Sequence, residues 1–168
     1  ADQYPYTAGS TSLHAVIQNG AFRRDSPGGV GSLSGDDVLI ASAPKHTAYE
    51  GRRLAQLAAE WSLDTEAAAA RVVAEEGEAC FVVIFSMDEA DVRTVLAHPS
   101  TMIGSDGVPA AGSKPHPRLY GCFPRILGHY VRDERVIDLP TAIQKMTGLP
   151  AAKFGFADRG VIRPGAFA

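Results

Sequence analysis

The sequence predicts an α/β fold, and the main evidence is a pair of buried strands that flank a helix. The run Cys80–Ser86, CFVVIFS, contains β-branched and aromatic residues without polar alternation, which is typical of a strand buried on both faces. The second strand is Thr101–Ser105, TMIGS, and a helical pattern lies between the two. Strand, helix and strand at this spacing form a βαβ unit, so we expect parallel strands joined by a right-handed crossover.

The helix of this unit has recognisable ends in the sequence. Ser86 and Glu89 have the Ser-x-x-Glu spacing of a capping box, which predicts where the helix begins. Pro99 predicts where it ends, because the residue before a proline avoids the helical conformation. The predicted apolar face consists of Val92, Val95 and Leu96.

One further strand and two helices are predicted upstream of this unit. Asp2–Gly9 is an extended segment, and Val38–Ala41 has the composition of a brief strand. The first helix of this region should begin near Ala48, because apolar residues recur after it at i, i+3, i+4 and i+7: Leu54, Leu57, Ala58 and Trp61. The second helix should begin at Asp64, whose side chain can cap it, and end at Gly77.

The composition argues against several classes of partner. The 168 residues have a formal net charge of -3 and no basic patch, so we expect neither nucleic acid nor an anionic membrane surface as partner. No apolar run approaches the roughly 20 residues that a membrane-spanning helix needs. Cys80 and Cys122 lack CxxC spacing and lie among apolar residues, which indicates inert thiols in a reducing compartment. We therefore expect a cytoplasmic protein.

Asp106 is the main candidate for chemistry, because it follows the second buried strand. In parallel α/β folds, ligands bind beyond the carboxyl ends of the strands, where a carboxylate can serve as acid, base or metal ligand. An ordinary Asp-Gly turn is the alternative, and position alone does not decide between the two. The long loop that follows contains Lys114, His116 and Arg118, and this density of functional groups favours a site.

The sequence contains none of the common catalytic motifs. It has no HxH, HExxH, CxxC, Walker loop or GxSxG, and its five histidines lack metal-ligand spacing. Gly28, Gly29 and Gly31 neither follow a strand nor open a helix, so a phosphate-binding loop is not predicted. The residues by themselves indicate one acid without the rest of a catalytic constellation.

A family resemblance accounts for this imbalance. Four segments, in order, are similar to the C-terminal part of the N-acyl-D-amino-acid deacylases: DQYPYTAGST, MIGSDGVP, PHPRLYGCFPRILGHYVRDE and TAIQKMTGLPAAKFGFADRGVIRPGAFA. These D-aminoacylases belong to the metal-dependent amidohydrolase superfamily. The resemblance implies a (β/α)8 barrel with zinc at the carboxyl ends of its strands, a small β-sandwich domain, and hydrolysis of an N-acyl-D-amino acid. It assigns residues 1–156 to the C-terminal part of the barrel, with a largely helical insertion at about residues 22–78, and residues 157–168 to the start of the small domain.

The resemblance also implies roles for five residues. Asp106 matches the aspartate at the end of the eighth strand, which contacts the metal and takes the proton of the attacking water. Arg118 matches an arginine associated with the substrate carboxylate, and a surface arginine is the alternative. Tyr4 and Ser10 match hydroxyl residues that help to hold that carboxylate; the alternative is that they are packing residues at a strand end. Met87 matches a methionine that lines the pocket for the substrate side chain, and an ordinary core residue is the alternative.

Two departures from the family pattern limit the transfer. Ile84, three positions before Met87, stands where the family has an aromatic residue. The family pattern therefore does not determine which D-amino-acid side chain this protein prefers. The family's metal-binding histidines correspond to positions upstream of Ala1. We therefore expect a fragment that binds zinc weakly and is inactive alone, with its strand edges covered by the missing N-terminal part or by self-association. Two alternatives remain: another amidohydrolase, such as a cyclic-amide hydrolase, and a non-catalytic binding module.

Overall fold

A computed structural model describes residues 1–18, 21–22, 33–109 and 114–167. Helices and strands are interspersed along the chain, as in an α/β protein. The elements are β1 (Asp2–Gln3), β2 (Gly9–Ser12), α1 (Leu13–Val16), β3 (Ile17–Gln18), β4 (Ala21–Phe22), β5 (Val38–Ser42), α2 (Leu54–Trp61), α3 (Thr65–Glu76), β6 (Phe81–Ile84), α4 (Glu89–Ala97), β7 (Met102–Ile103), α5 (Arg118–Arg125), a π-helix (Ile126–Asp133), α6 (Leu139–Met146) and α7 (Gly148–Lys153).

The chain forms two compact units. The first comprises Ala1–Tyr6, Asp88–Val108 and Pro117–Ala168, and the second comprises Thr7–Met87 and Pro109–His116. Residues 23–32 of the predicted insertion, the three glycines among them, lie outside the described residues, as do residues 110–113 of the loop after Asp106. The predicted domain boundaries stay predictions.

A three-stranded antiparallel sheet forms the centre of the second unit. Its order is β2, β6, β5, so the apolar strand β6 has a neighbour on each side. A bulge interrupts the pairing of β5 between Ile40 and Ser42. Helices α2 and α3 pack against each other, and their apolar faces complete a core that includes fully buried Leu54, Leu57, Val72, Cys80 and Val82.

A parallel pair of very short strands organises the first unit. Asp2 pairs with Met102 and Gln3 with Ile103, so β1 and β7 run in the same direction. Helices α4 and α6 and the π-helix surround β7 and bury an apolar cluster that includes Val92, Leu96, Ile103, Ile126, Tyr130 and Ala142. The π-helix begins at Ile126, two residues after Pro124, which lacks an N–H and so leaves the helical hydrogen-bond ladder incomplete at that turn.

Several local predictions are confirmed. Strand β5 occupies Val38–Ser42, where a brief strand was predicted. The side chain of Asp64 accepts a hydrogen bond of 2.7 Å from the amide of Ala67 and so caps α3. Gly77 ends this helix with a φ of 67°, a left-handed value that suits glycine. The first predicted helix begins later than expected, at Leu54, because residues Thr47–Tyr49 form a separate 3₁₀ turn.

The predicted pairing of the two buried strands is wrong. Strand β6 pairs antiparallel with β2 and β5, whereas β7 pairs with β1, so the two strands are not neighbours in one sheet. The buried character of β6 was correct, but a strand that is apolar on both faces contains no pattern that fixes its partner or direction. The predicted capping box is wrong as well, because Asp88 caps α4 by accepting from the amide of Ala90 at 2.6 Å.

Candidate functional site

Asp106 lies three residues beyond β7, at the carboxyl end of this parallel strand. Its backbone has a φ of 48°, a left-handed conformation that aspartate tolerates better than most residues. The hydroxyl of Ser105 accepts a hydrogen bond of 3.3 Å from the amide of Gly107 and so braces the turn. The Asp106 side chain is 65% exposed, so the turn presents this carboxylate to solvent.

Arg118 forms an ion pair with Asp106. Its Nη1 lies 2.9 Å from Oδ2 of Asp106, and its side chain is only 5% exposed. Arg118 is the first residue of α5, where the helix begins after Pro117. A buried guanidinium requires a partner, because an unpaired charge removed from water is costly. The carboxylate of Asp106 is one such partner.

Tyr4 lies beside the same pair. The guanidinium carbon of Arg118 is 4.8 Å from the centre of the Tyr4 ring, which is a cation–π contact. The parallel pairing of β1 and β7 explains the proximity, because Tyr4 follows β1 at the edge where Asp106 follows β7. The structure thus brings together three of the five predicted site residues, Asp106, Arg118 and Tyr4.

The other two predicted site residues belong to the second compact unit. Ser10 lies on β2 opposite Val83 and is partly buried. Met87 follows β6, its amide donates to the carbonyl of Thr7 at 3.2 Å, and its side chain is 40% exposed. Their roles stay predictions.

A second tyrosine–arginine contact lies next to the first and was missed by sequence analysis. Arg125 is 5.2 Å from the ring centre of Tyr6, and its Nε donates to the carbonyl of Pro5 at 2.7 Å. The sequence contains the matching spacings but not the pairing: the two tyrosines are two residues apart, as on one face of an extended segment, and Arg118 and Arg125 are separated by two helical turns. The segment Tyr4-Pro5-Tyr6 is thereby held along α5. Burial is the main cause of a raised Tyr6 pKa.

Both cysteines are buried thiols without a disulfide. Burial raises the pKa of Cys80 to about 12 and that of Cys122 to about 11. The Cys122 thiol also donates to the carbonyl of Arg118 at 3.1 Å. Neither thiol can ionise readily near neutral pH, which agrees with the prediction of inert core cysteines.

One group of side chains in the described part of the chain has the spacing of a metal site. The ligand atoms of Glu89, His129 and Glu134 lie within 4.8 Å of one another. Arg93 already binds this group, with its Nη2 2.9 Å from Glu134 and its Nε 3.4 Å from Glu89. The Tyr130 hydroxyl also donates to Glu89 at 2.8 Å. Because a guanidinium neutralises these carboxylates, the group fits an ion-pair network better than a zinc site.

Comparisons with known proteins identify similar sequences. A profile described as Amidohydrolase family matches residues 31–168. An N-acyl-D-glutamate deacylase of Alcaligenes xylosoxydans xylosoxydans is 43% identical over 133 residues, which are 79% of this chain and 26% of that protein. A D-aminoacylase of the same organism is 42% identical over 167 residues, which are 99% of this chain and 30% of that protein.

Solved structures with similar folds belong to the same group of enzymes. An N-acyl-D-glutamate deacylase of Bordetella bronchiseptica, complexed with zinc and a phosphonate inhibitor that mimics the tetrahedral intermediate, has a TM-score of 0.77 and 39% identity. A D-aminoacylase has a TM-score of 0.79 and 43% identity. Each comparison covers 99% of this chain and 31% of the solved one, so the chain spans less than a third of these relatives.

No helix among the described residues is long and apolar enough to cross a membrane.

Proposed function

Since the chain belongs to the amidohydrolase family, we propose that it forms part of a zinc-dependent hydrolase that deacylates N-acyl-D-amino acids to a carboxylate and a free D-amino acid. The similarity to three deacylases of N-acyl-D-amino acids, at 39% to 43% identity, supports this reaction class. The proposal concerns a longer protein, because the chain spans 26% to 30% of these relatives.

Asp106 is the proposed catalytic residue. Its carboxylate can accept a proton from the attacking water and later deliver it to the leaving amine, because one group can serve as base and then as acid. The exposure of its side chain supports this role, since a water molecule and a substrate must both reach it. The ion pair with Arg118 holds the carboxylate in one orientation.

Arg118 and Tyr4 are the proposed binding residues for the substrate carboxylate. A guanidinium offers a planar fork of donors that matches a carboxylate, and the adjacent tyrosine ring restricts its orientation. Ser10 is proposed to add a hydroxyl donor to this carboxylate, and Met87 to line the pocket for the D-amino-acid side chain. The contact of Arg118 with both Asp106 and Tyr4 supports the first two assignments.

Zinc would be held in part by Asp106. A zinc ion lowers the pKa of a bound water molecule towards neutrality. Asp106 offers zinc one exposed carboxylate at a strand end, but its Oδ2 already pairs with Arg118, and a zinc site takes three or four ligands. The other ligands would come from outside this chain.

The proposed architecture is the C-terminal portion of a (β/α)8 barrel with a largely helical insertion and the start of a small β-subdomain. The parallel pair β1–β7 with Asp106 at its carboxyl end supports the barrel portion. The rest of the longer protein, or a second copy of the chain, would cover the edges of its short sheets. The two free cysteines support a reducing, cytoplasmic setting.

The ion pair between Asp106 and Arg118 carries the proposed site, the similarity to deacylases carries the proposed reaction, and a substrate panel tests the reaction. The longer enzyme containing this chain should hydrolyse N-acetyl forms of D-leucine, D-glutamate or D-aspartate and leave the L-enantiomers intact. Hydantoin hydrolysis without deacylation would favour the cyclic-amide alternative. Absence of bound zinc and of any hydrolysis would favour the binding-module alternative.

A further inference from the structure

Lys145 is a buried cation that the proposed chemistry does not use. It lies on α6, only 2% exposed, beside the apolar cluster that surrounds β7. Its Nζ donates to the carbonyl of His98 at 2.5 Å and to that of Thr101 at 3.0 Å. Burial alone lowers its pKa, and no carboxylate among the described residues contributes to that shift. A buried ammonium without a counter-ion is costly, and its two hydrogen bonds to carbonyl oxygens offset part of that cost.

The two carbonyls are the ends of one tight turn. His98 follows the last residue of α4, where the helix has unpaired carbonyls and a partial negative charge that favours a cation. Thr101 directly precedes β7, and its amide donates to the same His98 carbonyl at 3.1 Å. Lys145 therefore ties the end of α4 to the beginning of β7.

Strand β7 depends on such an anchor because it is very short. Only Met102 and Ile103 form it, and the amides of Met102 and Gly104 donate to Ala1 and Gln3 of the neighbouring segment at 2.9 and 3.0 Å. A two-residue strand has few ladder bonds to fix its position along its own axis. A shift of the strand would move Asp106, which follows it, relative to Arg118.

We propose that Lys145 is a positioning residue: its hydrogen bonds to the carbonyls of His98 and Thr101 fix the start of β7 and thereby the location of Asp106. The catalytic consequence rests on the proposed deacylase function, but the mechanical part does not. A misplacement of about 1 Å at a reacting group can cost on the order of 100-fold in rate. Lys145 would thus act on turnover without touching substrate.

The test compares Lys145→Met, which keeps an unbranched apolar stem but removes the ammonium group with its donors, with Lys145→Arg, which keeps the charge and donors. In the longer enzyme, we expect Lys145→Met to lower kcat at least ~10-fold with little change in KM, and Lys145→Arg to recover most of it. Lys153→Met, on the exposed surface of α7, is the matched control and should leave both constants unchanged. Lys145→Gln, with a shorter neutral donor, replaces the methionine variant if that protein does not fold.

Hydrogen–deuterium exchange separates positioning from simple loss of folded enzyme. In Lys145→Met, the amides of Thr101–Asp106 should exchange at least ~10-fold faster, while those of β6 keep their rates. Unchanged exchange in this segment overturns the proposal, and so does unchanged kcat in an active enzyme. Exchange that rises equally throughout the chain also overturns it, because it indicates a general loss of stability. If the wild type lacks deacylase activity, the proposed function fails, and the exchange result still decides the role of Lys145.

Discussion

The hydroxyl of Tyr6 fills the space that a side chain at position 121 would need. A Cβ added to Gly121 would overlap the Tyr6 oxygen, whereas the ring carbon that bears this oxygen would lie 3.6 Å away. Gly121 is a helical residue of α5, so its lack of a side chain is explained by this close approach and not by an unusual backbone. The fit between Gly121 and Tyr6 holds the segment Tyr4-Pro5-Tyr6 against the helix that begins with Arg118.

The close fit between Gly121 and Tyr6 predicts that Gly121→Ala changes the free energy of unfolding in opposite directions in the wild type and in a Tyr6→Phe variant. Gly121→Ala should lower the free energy of unfolding by about 1–3 kcal/mol in the wild type, because the added methyl group overpacks the contact. In a Tyr6→Phe background, the same change should raise it by about 0.5–1 kcal/mol, because alanine is favoured over glycine in a helix. Denaturant unfolding of the four proteins measures both values. Gly128→Ala is the control, since its nearest neighbour would be Arg132 Nη2 at 3.7 Å, and equal effects in both backgrounds would refute the match.

Asp106→Asn should abolish most of the turnover in the longer enzyme. We expect kcat to fall by several orders of magnitude, because an amide cannot accept the proton of water, while the fold is retained. Steady-state kinetics with an N-acetyl-D-amino acid measure the effect. Asp91→Asn, a solvent-exposed change in the first turn of α4, should leave kcat within a factor of about two. Near-normal turnover of the Asp106 variant would remove Asp106 from the mechanism.

Arg118→Ala should affect both kinetic constants, because its side chain contacts Asp106 as well as the proposed substrate site. We expect KM to rise at least ~10-fold through loss of a charge-assisted contact to the carboxylate. We also expect kcat to fall, because Asp106 loses its partner. The effects of Arg118→Ala and Asp106→Asn should therefore not add in the double variant, since residues in contact are coupled. Arg132→Ala, with a side chain that is 75% exposed, is the control, and additive losses would contradict the coupling.

The buried thiols predict a loss of stability at alkaline pH. The pKa of Cys80 is raised from 9.0 to about 12 in the folded chain, so this thiol stays protonated while its unfolded counterpart ionises. Its contribution to stability is fully present below pH 9.0 and is lost as the pH rises towards 12. Thermal unfolding between pH 8 and 11 should show a falling Tm, and Cys80→Ala should make Tm depend less steeply on pH.

The burial of both thiols also predicts that they are protected from chemical labelling. At pH 8, a thiol reagent should modify neither cysteine until denaturant is added, and rapid labelling of Cys80 in the folded chain would contradict its burial.

Local elements of the fold were predictable because their signals lie within a few residues. The cap at Asp64, the helix end at Gly77 and the buried character of β6 depend on short-range hydrogen bonding and hydrophobicity. The start of α4 was misassigned because two acceptors, Ser86 and Asp88, compete for nearby amides. The aspartate side chain is the one that reaches an N-terminal amide of the helix.

The candidate site was predictable in its residue types but not in its contacts. Asp106 was identified from its position after a buried strand, while Arg118 and Tyr4 came from the family resemblance. Their direct contact could not be derived from spacing, because it requires that β1 and β7, which lie far apart in the sequence, pair in parallel. The contacts of Arg125 and Lys145 were missed for the same reason, since each side chain donates to a carbonyl oxygen that lies far away in the sequence.

The sequence by itself determined the buried character of the strands, both ends of α3 and the carboxylate at the end of β7. Only the tertiary structure decided which strands pair, because β6 and β7 are both apolar without alternation and therefore accept several partners and either direction. It also decided that the buried guanidinium of Arg118 lies against Asp106 and that the ammonium of Lys145 lies against two carbonyls. A buried charge must find a partner, but which partner depends on the long-range packing that removes it from water.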